Sequence, residues 1–496
     1  MTSRISLRRV TAGAAMLGAV VFASPLAAQD AKDRMAAFID ANAEEYGETA
    51  QEIWDLAEVG YMETESAELL QSKLRAAGFE IASGVAGMPT AFVASWGGGG
   101  PVIGIMGEYD ALPGINQSRL PERDPIPGKI AGHACGHHLF GTGSVAAALA
   151  VKMWLEDTGT PGTIRVYGTP AEEGGAGKVY MVRAGLMDDV DVMLHWHASS
   201  QNSASATGSL ANKSGMFRFS GQSAHAAGAP WRGRSALDGV EAFHTMVNMM
   251  REHVTPESRI HYVITSGGSA PNVIPDFAES YIYVRHPDPE ESRRMFDWVV
   301  KAAEGAAMGT ETTMEYEVIH GIYNVLVNET LGRAMHENLT RVGGVPYTAE
   351  EVRFAEAIQS TFPSNVPPIT RAQEVEDFYV QERGSGGSTD VGDVSWVVPT
   401  AGLGTATWVP GTSAHSWQAV AAGGTDIGNK AMINAAKTLA FTMHDLFTQP
   451  ALVEAAREEF LGRRGPDFEY EPLLGDRDPP LDYRASVVGG SGNDRD

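Results

Sequence analysis

The spacing of apolar residues along the first half of the chain changes between a helical and a strand-like period. Between Asp30 and Phe79 the apolar positions have helical spacing, which predicts helices that end near Gly78. Farther along, apolar runs predict strands at 91–95, 102–106, 164–167 and 192–195, with a helix of small residues at 139–155. Strands that alternate with helices indicate the α/β class with a mainly parallel sheet, whose ligands collect at the carboxyl ends of the strands.

A different pattern begins near Lys213. Its elements follow the order strand, helix, strand, strand, helix, strand, at residues 215–220, 236–253, 260–265, 278–285, 290–303 and 313–319. This order resembles a ferredoxin-like α+β insert. The α/β pattern resumes near Asn328 and continues to about Thr448. From Ala451 onward the chain is rich in Pro, Gly, Asp and Arg, so we expect a loosely ordered, acidic tail that packs only in places.

The amino terminus has the pattern of a bacterial signal peptide. Three arginines precede a short apolar region at residues 10–23, and the small residues from Ser24 to Ala28 form a cleavage site before Gln29. The apolar region is short for a membrane span, although an uncleaved anchor stays open as the alternative. The pair Arg8-Arg9 also fits twin-arginine export, beside the general secretory route. The sequence therefore predicts an exported, periplasmic protein.

Composition excludes several classes of protein. The chain has 496 residues, enough for two or three domains that each bury a core. Its formal net charge of -25 argues against nucleic acid and against anionic membrane surfaces as partners. A single cysteine excludes a disulfide scaffold. Beyond the amino terminus no apolar run approaches the roughly 18 residues of a membrane span, so we expect no membrane contact beyond the signal peptide.

The strongest local signal for chemistry is the run Gly-His-Ala-Cys-Gly-His-His at residues 132–138. Its Cys135 and His137 lie two residues apart at the start of a predicted helix, and a thiolate with an imidazole suits a metal ion. A buried thiol beside a structural histidine is the alternative for an isolated Cys-Gly-His. A cysteine nucleophile with a histidine base is another.

Three further elements follow predicted strands or lie late in the chain: the pair Glu172-Glu173, the run His195-Trp196-His197, and His415. Strand alternation sends His195 and His197 to the same side. Each element alone is more often structural or a solvated loop. Together with Cys135 they supply a thiolate, a carboxylate and up to three imidazoles, which is enough for two divalent cations and a bridging water.

The motifs occur in the order Gly-Glu-Tyr-Asp-Ala-Leu-Pro, Cys-Gly-His, Pro-Ala-Glu-Glu-Gly, His-Trp-His, Ser-Ala-His-Ala-Ala, Asn-Val-Ile-Pro-Asp and Ala-His-Ser. In this order they resemble the dinuclear amidohydrolase family of hippurate hydrolases, auxin-conjugate hydrolases, aminoacylases and glutamate carboxypeptidases. The resemblance covers about Asp30 to Thr448. Residues 136–152 and 387–393 are similar to one branch of this family, the p-aminobenzoyl-glutamate hydrolases.

The resemblance implies a role for each matching residue. Cys135 would bridge two metal ions, and the other ligands would be His137, Glu173, His197 and His415. Glu172 would be the general base, and Asp110 would orient a ligand. Branch members commonly have Asp where His138 stands, so the groups around the ligands stay open. The resemblance assigns no role to His138, to His195 or to the tail.

In the insert, the resemblance implies a lid and dimerisation domain. His225 would stabilise the oxyanion, often in the other subunit, and Asn272 and Arg285 would bind a substrate carboxylate. Gly386 and Gly387 resemble a glycine-rich loop beside that carboxylate, where a side chain would obstruct close backbone approach.

These implications give the expected organisation. A signal peptide (1–28) precedes a metallo-exopeptidase-type catalytic domain in two parts (29–212 and 327–450), with the inserted lid domain (213–326) between them and the tail (451–496) at the end. We expect two divalent ions, Mn or Zn, and a homodimer, or else a homologous second subunit. The expected reaction is hydrolysis of the amide between an acyl or aroyl group and an amino acid. A dipeptidase or aminoacylase and a non-catalytic binding protein are the alternatives.

Overall fold

The computed structural model describes residues 25–364, 366–384 and 386–485. Residues 1–24, which carry most of the predicted signal peptide, lie outside the described residues. Within the described ranges, no helix is both long enough and apolar enough to cross a membrane.

The centre of the molecule is a mixed sheet in which the parallel strands lead to the functional residues. Its strand order is β1-β2-β6-β3-β7-β14, where β6, β3, β7 and β14 run parallel while β1 and β2 pair antiparallel. These strands are β1 (Glu80–Ser83), β2 (Phe92–Gly98), β3 (Val102–Gly107), β6 (Gly162–Gly168), β7 (Val192–Ser199) and β14 (Thr400–Ala406). The α/β class with a mostly parallel sheet is therefore confirmed. Short two-stranded ladders add β4 (Leu112–Pro113), β5 (Ala131–Gly132), β8 (Ala206–Thr207) and β13 (Val380–Gln381).

Helices cover this sheet. They are α1 (Pro25–Ala41), α2 (Ala43–Leu56), α3 (Thr64–Ala76), α4 (His137–Thr158), α5 (Glu172–Gly175), α6 (Gly177–Arg183), α9 (Glu329–Val342), α10 (Ala349–Gln359), α11 (Val391–Ser395), α12 (Trp417–Gly423), α13 (Asp426–Thr448) and α14 (Pro450–Arg464). Helix α4 is buried along nearly its whole length, and its small residues allow close packing: a Cβ on Gly143 would lie 3.0 Å from the Trp196 ring. This packing fixes the start of α4 beside the end of β7.

The second sheet is antiparallel and carries two helices. Its order is β10-β11-β9-β12, formed by β9 (Ala211–Ser220), β10 (Arg259–Ser266), β11 (Phe277–His286) and β12 (Thr313–Ile322), with α7 (Ala236–Met250) and α8 (Pro289–Thr310) on one face. Along the chain the elements follow the predicted order of strand, helix, strand, strand, helix, strand. Apolar residues of both helices and of alternate strand positions, among them Phe217, Phe243 and Phe296, form a separate core.

The carboxyl-terminal segment differs from the expectation of a loosely ordered tail. Residues 450–464 form helix α14, and the following residues up to Ala485 pack on the rest of the molecule. Leu473 and Leu474 are buried. The segment is ordered by hydrogen bonds from polar side chains to distant backbone carbonyls, which its composition does not reveal.

Candidate metal centre

Four parts of the chain bring the predicted ligands together at one edge of the central sheet. Asp110 follows β3, Glu173 follows β6 within α5, and His197 lies near the end of β7. Cys135 precedes α4 and His415 precedes α12. Gly136 separates Cys135 from the helix with φ +76, and a Cβ there would lie 2.3 Å from Ala198, so the turn that presents the thiol requires glycine.

The five predicted ligands form two overlapping clusters. In the first, Cys135, His137 and His197 each offer a ligand atom, and these atoms lie within 4.8 Å of one another. The same holds in the second cluster for Cys135, Glu173 and His415. Cys135 Sγ is 3.5 Å from His197 Nε2, and Glu173 Oε1 is 3.2 Å from His415 Nε2. Because only the thiol belongs to both clusters, Cys135 has the position of a bridging ligand.

Hydrogen bonds leave one ring nitrogen of each buried histidine free for a metal ion. His137 Nδ1 donates to Asp110 Oδ1 at 2.8 Å, and His197 Nδ1 donates to the carbonyl of Ala198 at 2.8 Å. Each ring therefore points its Nε2 lone pair into the cluster. His137 Nε2 and Glu173 Oε1 are buried and have no hydrogen-bond partner. Buried polar atoms without partners are costly, so this donor set fits a bound cation.

Asp110 holds two of the ligand segments at once. Besides its bond to His137, its Oδ2 accepts the backbone N–H of Glu173 at 2.9 Å. The side chain is buried. One carboxylate thus sets both the ring orientation of His137 and the position of the Glu173 backbone, as the predicted orienting role requires.

The charges around the cluster match metal binding. Burial raises the pKa of the Cys135 thiol, so a thiolate there needs a cation beside it. Burial also opposes ionisation of Glu173, but His415 and His137 outweigh it and hold the pKa of that carboxyl below its ordinary value. The bond to Glu173 raises the pKa of His415.

Glu172 lies beside the ligands without belonging to either cluster. It is half-buried, and its carboxylate is within 4.8 Å of ligand atoms of Glu108 and His137. Burial, followed by the charges of Glu108 and Glu173, raises the pKa of Glu172 well above its ordinary value. A carboxyl group with a raised pKa is suited to accept and return a proton near neutral pH.

Sequence reasoning missed a buried ion network behind the centre. Lys178 Nζ lies 2.6 Å from Glu108 Oε1 and 2.7 Å from Asp390 Oδ1, and all three side chains are buried. Glu108 Oε2 in turn is 3.0 Å from His137 Nε2. Although burial opposes it, the charges of Lys178 and His137 hold the pKa of Glu108 below its usual range. Glu108 directly follows β3 within the Gly-Glu-Tyr-Asp motif, a signal that was available, whereas Lys178 had none.

The two histidines without a predicted role are now placed. His138 Nε2 donates to the carbonyl of Gly423 at 3.0 Å, and burial lowers the pKa of His138 to about 3, so it is a neutral structural residue. His195 and His197 both line a cavity of about 400 Å³, as the strand alternation predicted. Burial lowers the pKa of His195 to about 4.

The residues predicted for substrate form two groups. Arg285 Nη1 donates to Ser388 Oγ at 3.3 Å beside the 386–387 glycines, and its buried Nε has no partner, as an anion-binding group would. Open space surrounds the Cα atoms of Gly386 and Gly387. His225 is exposed and pairs with Val273, next to Asn272 in the four-stranded unit. The contacts described for His225 lie within that unit, so this chain does not bring it to its own ligand clusters.

Comparisons with known proteins agree with this geometry. The model of peptidase family M20/M25/M40 matches residues 104–417. One of the subunits of the p-aminobenzoyl-glutamate hydrolase of Escherichia coli (strain K12) is 41% identical over 85% of this chain and 93% of that protein. The Xaa-Arg dipeptidase of Mus musculus is 32% identical over 86% and 92%. A dinuclear metal-binding M20 peptidase from Bacillus subtilis shares the fold with a TM-score of 0.57 and 19% identity, over 83% of this chain and 99% of that one.

Proposed function

The chain belongs to peptidase family M20/M25/M40, and on that basis we propose that it is a dinuclear metal-dependent amidohydrolase that releases an amino acid from an acyl or aroyl group. The observation that carries the proposal is the pair of ligand clusters that share Cys135, with the carboxyl of Glu172 beside them. The similarity to a p-aminobenzoyl-glutamate hydrolase supports substrates of that kind, or N-acyl amino acids.

In this mechanism Cys135, His137, His197, Glu173 and His415 hold two divalent ions. When bound, the ions polarise the scissile carbonyl and lower the pKa of water. Glu172 takes the proton from the attacking water and returns it to the leaving amine, a role that its raised pKa supports. Asp110 keeps His137 and Glu173 oriented throughout. Thiolate and imidazole ligands favour Zn, while Mn is the alternative.

The four-stranded unit serves in this proposal as the ferredoxin-like lid and dimerisation domain. Its edge strand β10 exposes Val263 and Ile264, and α7 exposes Met249. An apolar edge of this kind favours pairing with a second copy. His225 Nδ1 accepts the N–H groups of Ala227 and Gly228, which leaves Nε2–H free to donate to a carbonyl oxygen in the partner's site.

Arg285 and the glycine loop would then bind the carboxylate of the released amino acid. The half-buried guanidinium has an unpartnered Nε, and the loop has open space beside it. Asn272 would assist from the lid loop. A homologous second subunit is the alternative to a homodimer, because the similar Escherichia coli protein is named as a subunit. The mass of the protein in solution, alone and beside such a partner, distinguishes them. The signal-peptide pattern supports a periplasmic location.

Replacement of the general base tests the reaction. We expect Glu172→Gln to bind as much metal as the unaltered protein and to lose a factor of about 100 to 10,000 in turnover. Glu44→Gln, at an exposed position of α2, is the matched control and should retain full activity. Full activity in Glu172→Gln would refute the mechanism. A chelator should abolish activity and added Zn or Mn restore it, whereas alkylation that chelation does not mimic would indicate a cysteine nucleophile.

A dipeptidase is the second candidate, because the similar Xaa-Arg dipeptidase covers nearly as much of the chain. A panel of p-aminobenzoyl-glutamate, hippurate, N-acetyl amino acids and dipeptides separates the two. Preference for the aroyl and acyl substrates supports the amidohydrolase. Preference for dipeptides supports the second candidate, and metal binding without hydrolysis of any member would indicate a binding protein.

A further inference from the structure

The carboxyl-terminal segment, residues 465–485, connects the four-stranded unit to the metal centre. Leu473 and Leu474 pack against Gly321 of β12 so closely that a Cβ on this glycine would lie 2.4 Å from the Leu474 nitrogen. The guanidinium of Arg477 then donates to the carbonyls of Val318 and Ile319, each at 2.7 Å. This part of the segment is thereby fixed to the second sheet.

Further along, the same segment is fixed to helix α6 of the central domain. Arg183 Nη1 donates to the carbonyls of Gly475 and Arg477, at 3.0 and 2.8 Å. Tyr180 of the same helix donates its hydroxyl to the carbonyl of Asp478 at 3.3 Å. Helix α6 follows the loop of Glu172 and Glu173 directly. The segment therefore approaches the metal centre along a surface that holds it on both sides.

The end of the segment contacts the backbone of a proposed metal ligand. The carbonyl of Glu173 accepts from the Tyr483 hydroxyl at 3.1 Å and from Arg484 Nη2 at 2.7 Å. The Tyr483 ring packs edge-on against Tyr61, with ring centroids 5.7 Å apart. Tyr61 donates to the carbonyl of Gly175 at 2.7 Å. With Asp110 on its N–H, Glu173 is held at both of its backbone polar groups.

This loop has a backbone that needs such contacts. Ala171 and Ala176, which flank it, have φ values of 57 and 59, and Gly174 has φ 91. The two alanines have a left-handed conformation that is unfavourable for residues with a Cβ. A conformation of this kind persists only where the surroundings hold it. The contacts of Tyr483 and Arg484 are among those that do.

We infer that Tyr483 and Arg484 are positioning residues that hold the Glu173 loop in its metal-binding geometry. The inference rests on the proposed function in one respect, since Glu173 must be a metal ligand. Their side chains act through the backbone carbonyl of Glu173 and place its carboxylate toward Cys135 and His415. They need no contact with the substrate. The carboxyl terminus thus becomes part of the catalytic machinery, although it lies more than 300 residues from the loop in sequence.

Arg484→Ala tests the inference, with Arg457→Ala on the exposed side of α14 as the matched control. In the full-length protein we expect Arg484→Ala to bind Zn and Mn at least about tenfold more weakly, the loss typical of groups that orient metal ligands. At limiting metal kcat should fall, with KM changed less than about twofold. Amide hydrogen exchange of residues 172–177 should quicken in the metal-free protein. Arg484→Lys should recover most of the affinity.

Two further measurements keep the result interpretable. Equal Tm values of the metal-free variant and control separate positioning from general loss of stability. If Arg484→Ala does not fold, Tyr483→Phe, which loses only one hydroxyl, takes its place and should also quicken exchange in the loop. Metal affinity and loop exchange equal to those of Arg457→Ala would overturn the inference. If the unaltered protein binds no metal, the proposed function fails instead, while the exchange of the loop still decides whether Arg484 holds it.

Discussion

Asp110→Asn perturbs the one side chain that orients two proposed ligands together. In the native site Oδ1 accepts from His137 Nδ1 at 2.8 Å and Oδ2 accepts from the Glu173 N–H at 2.9 Å. The amide of asparagine has only one oxygen. Whichever way it turns, its NH2 group faces a donor, so His137 or Glu173 loses its bond in a buried place.

The size of the effect follows from that geometry. Leaving a buried donor without an acceptor costs about 1–3 kcal/mol, and the surviving bond also loses the charge of the carboxylate. Since 1.4 kcal/mol is about a factor of ten in a binding constant, metal affinity should fall by roughly 10- to 100-fold. The same range describes known substitutions around metal ligands.

Titration of the metal-free variant against a chelator of known affinity measures this loss. We expect a weaker dissociation constant for at least one of the two ions, and activity that recovers as the metal concentration rises. Asp157→Asn, on the exposed end of α4, controls for the loss of one negative charge. Metal affinity of Asp110→Asn equal to that of the control would refute the reasoning, because it would show that these two bonds do not position the ligands.

Two further predictions concern stability. Lys178→Met leaves the carboxylates of Glu108 and Asp390 buried without their cation, so we expect a loss of about 3–5 kcal/mol in urea unfolding, against under about 1 kcal/mol for the surface variant Lys152→Met; equal losses would contradict the buried network. Burial raises the pKa of Asp393 from 3.8 to about 7, so the folded state binds the extra proton and the stability of the native protein relative to Asp393→Asn should fall as pH rises from about 4 through 7, by at most about 4 kcal/mol. A pH-independent difference in their unfolding free energies would show that Asp393 ionises normally.

Much of the fold and of the candidate site follows from local pattern. The predicted strand at 102–106 is β3, and the predicted strand at 192–195 is the first half of β7. Once these strands are parallel, the residues after them must meet at one edge, which is why Cys135, Glu173 and His197 could be expected to lie together. Local spacing also placed His195 and His197 on one side.

Other features depend on which distant segments touch, and periodicity carries no information about that. Lys178 looks like a surface residue in sequence, yet it is buried because two carboxylates from separate segments surround it. His225 has the motif of a catalytic residue, but its position in this chain requires a second copy for the role.

The sequence by itself determined the α/β class and the ligand types, because apolar period and side-chain chemistry are local properties. Only the tertiary structure decided that the polar tail is ordered and that Arg484 ends on the carbonyl of Glu173. The physical reason is that a hydrogen bond to a backbone carbonyl requires no particular residue at the acceptor. Such a bond leaves no mark in the sequence of the loop that it holds.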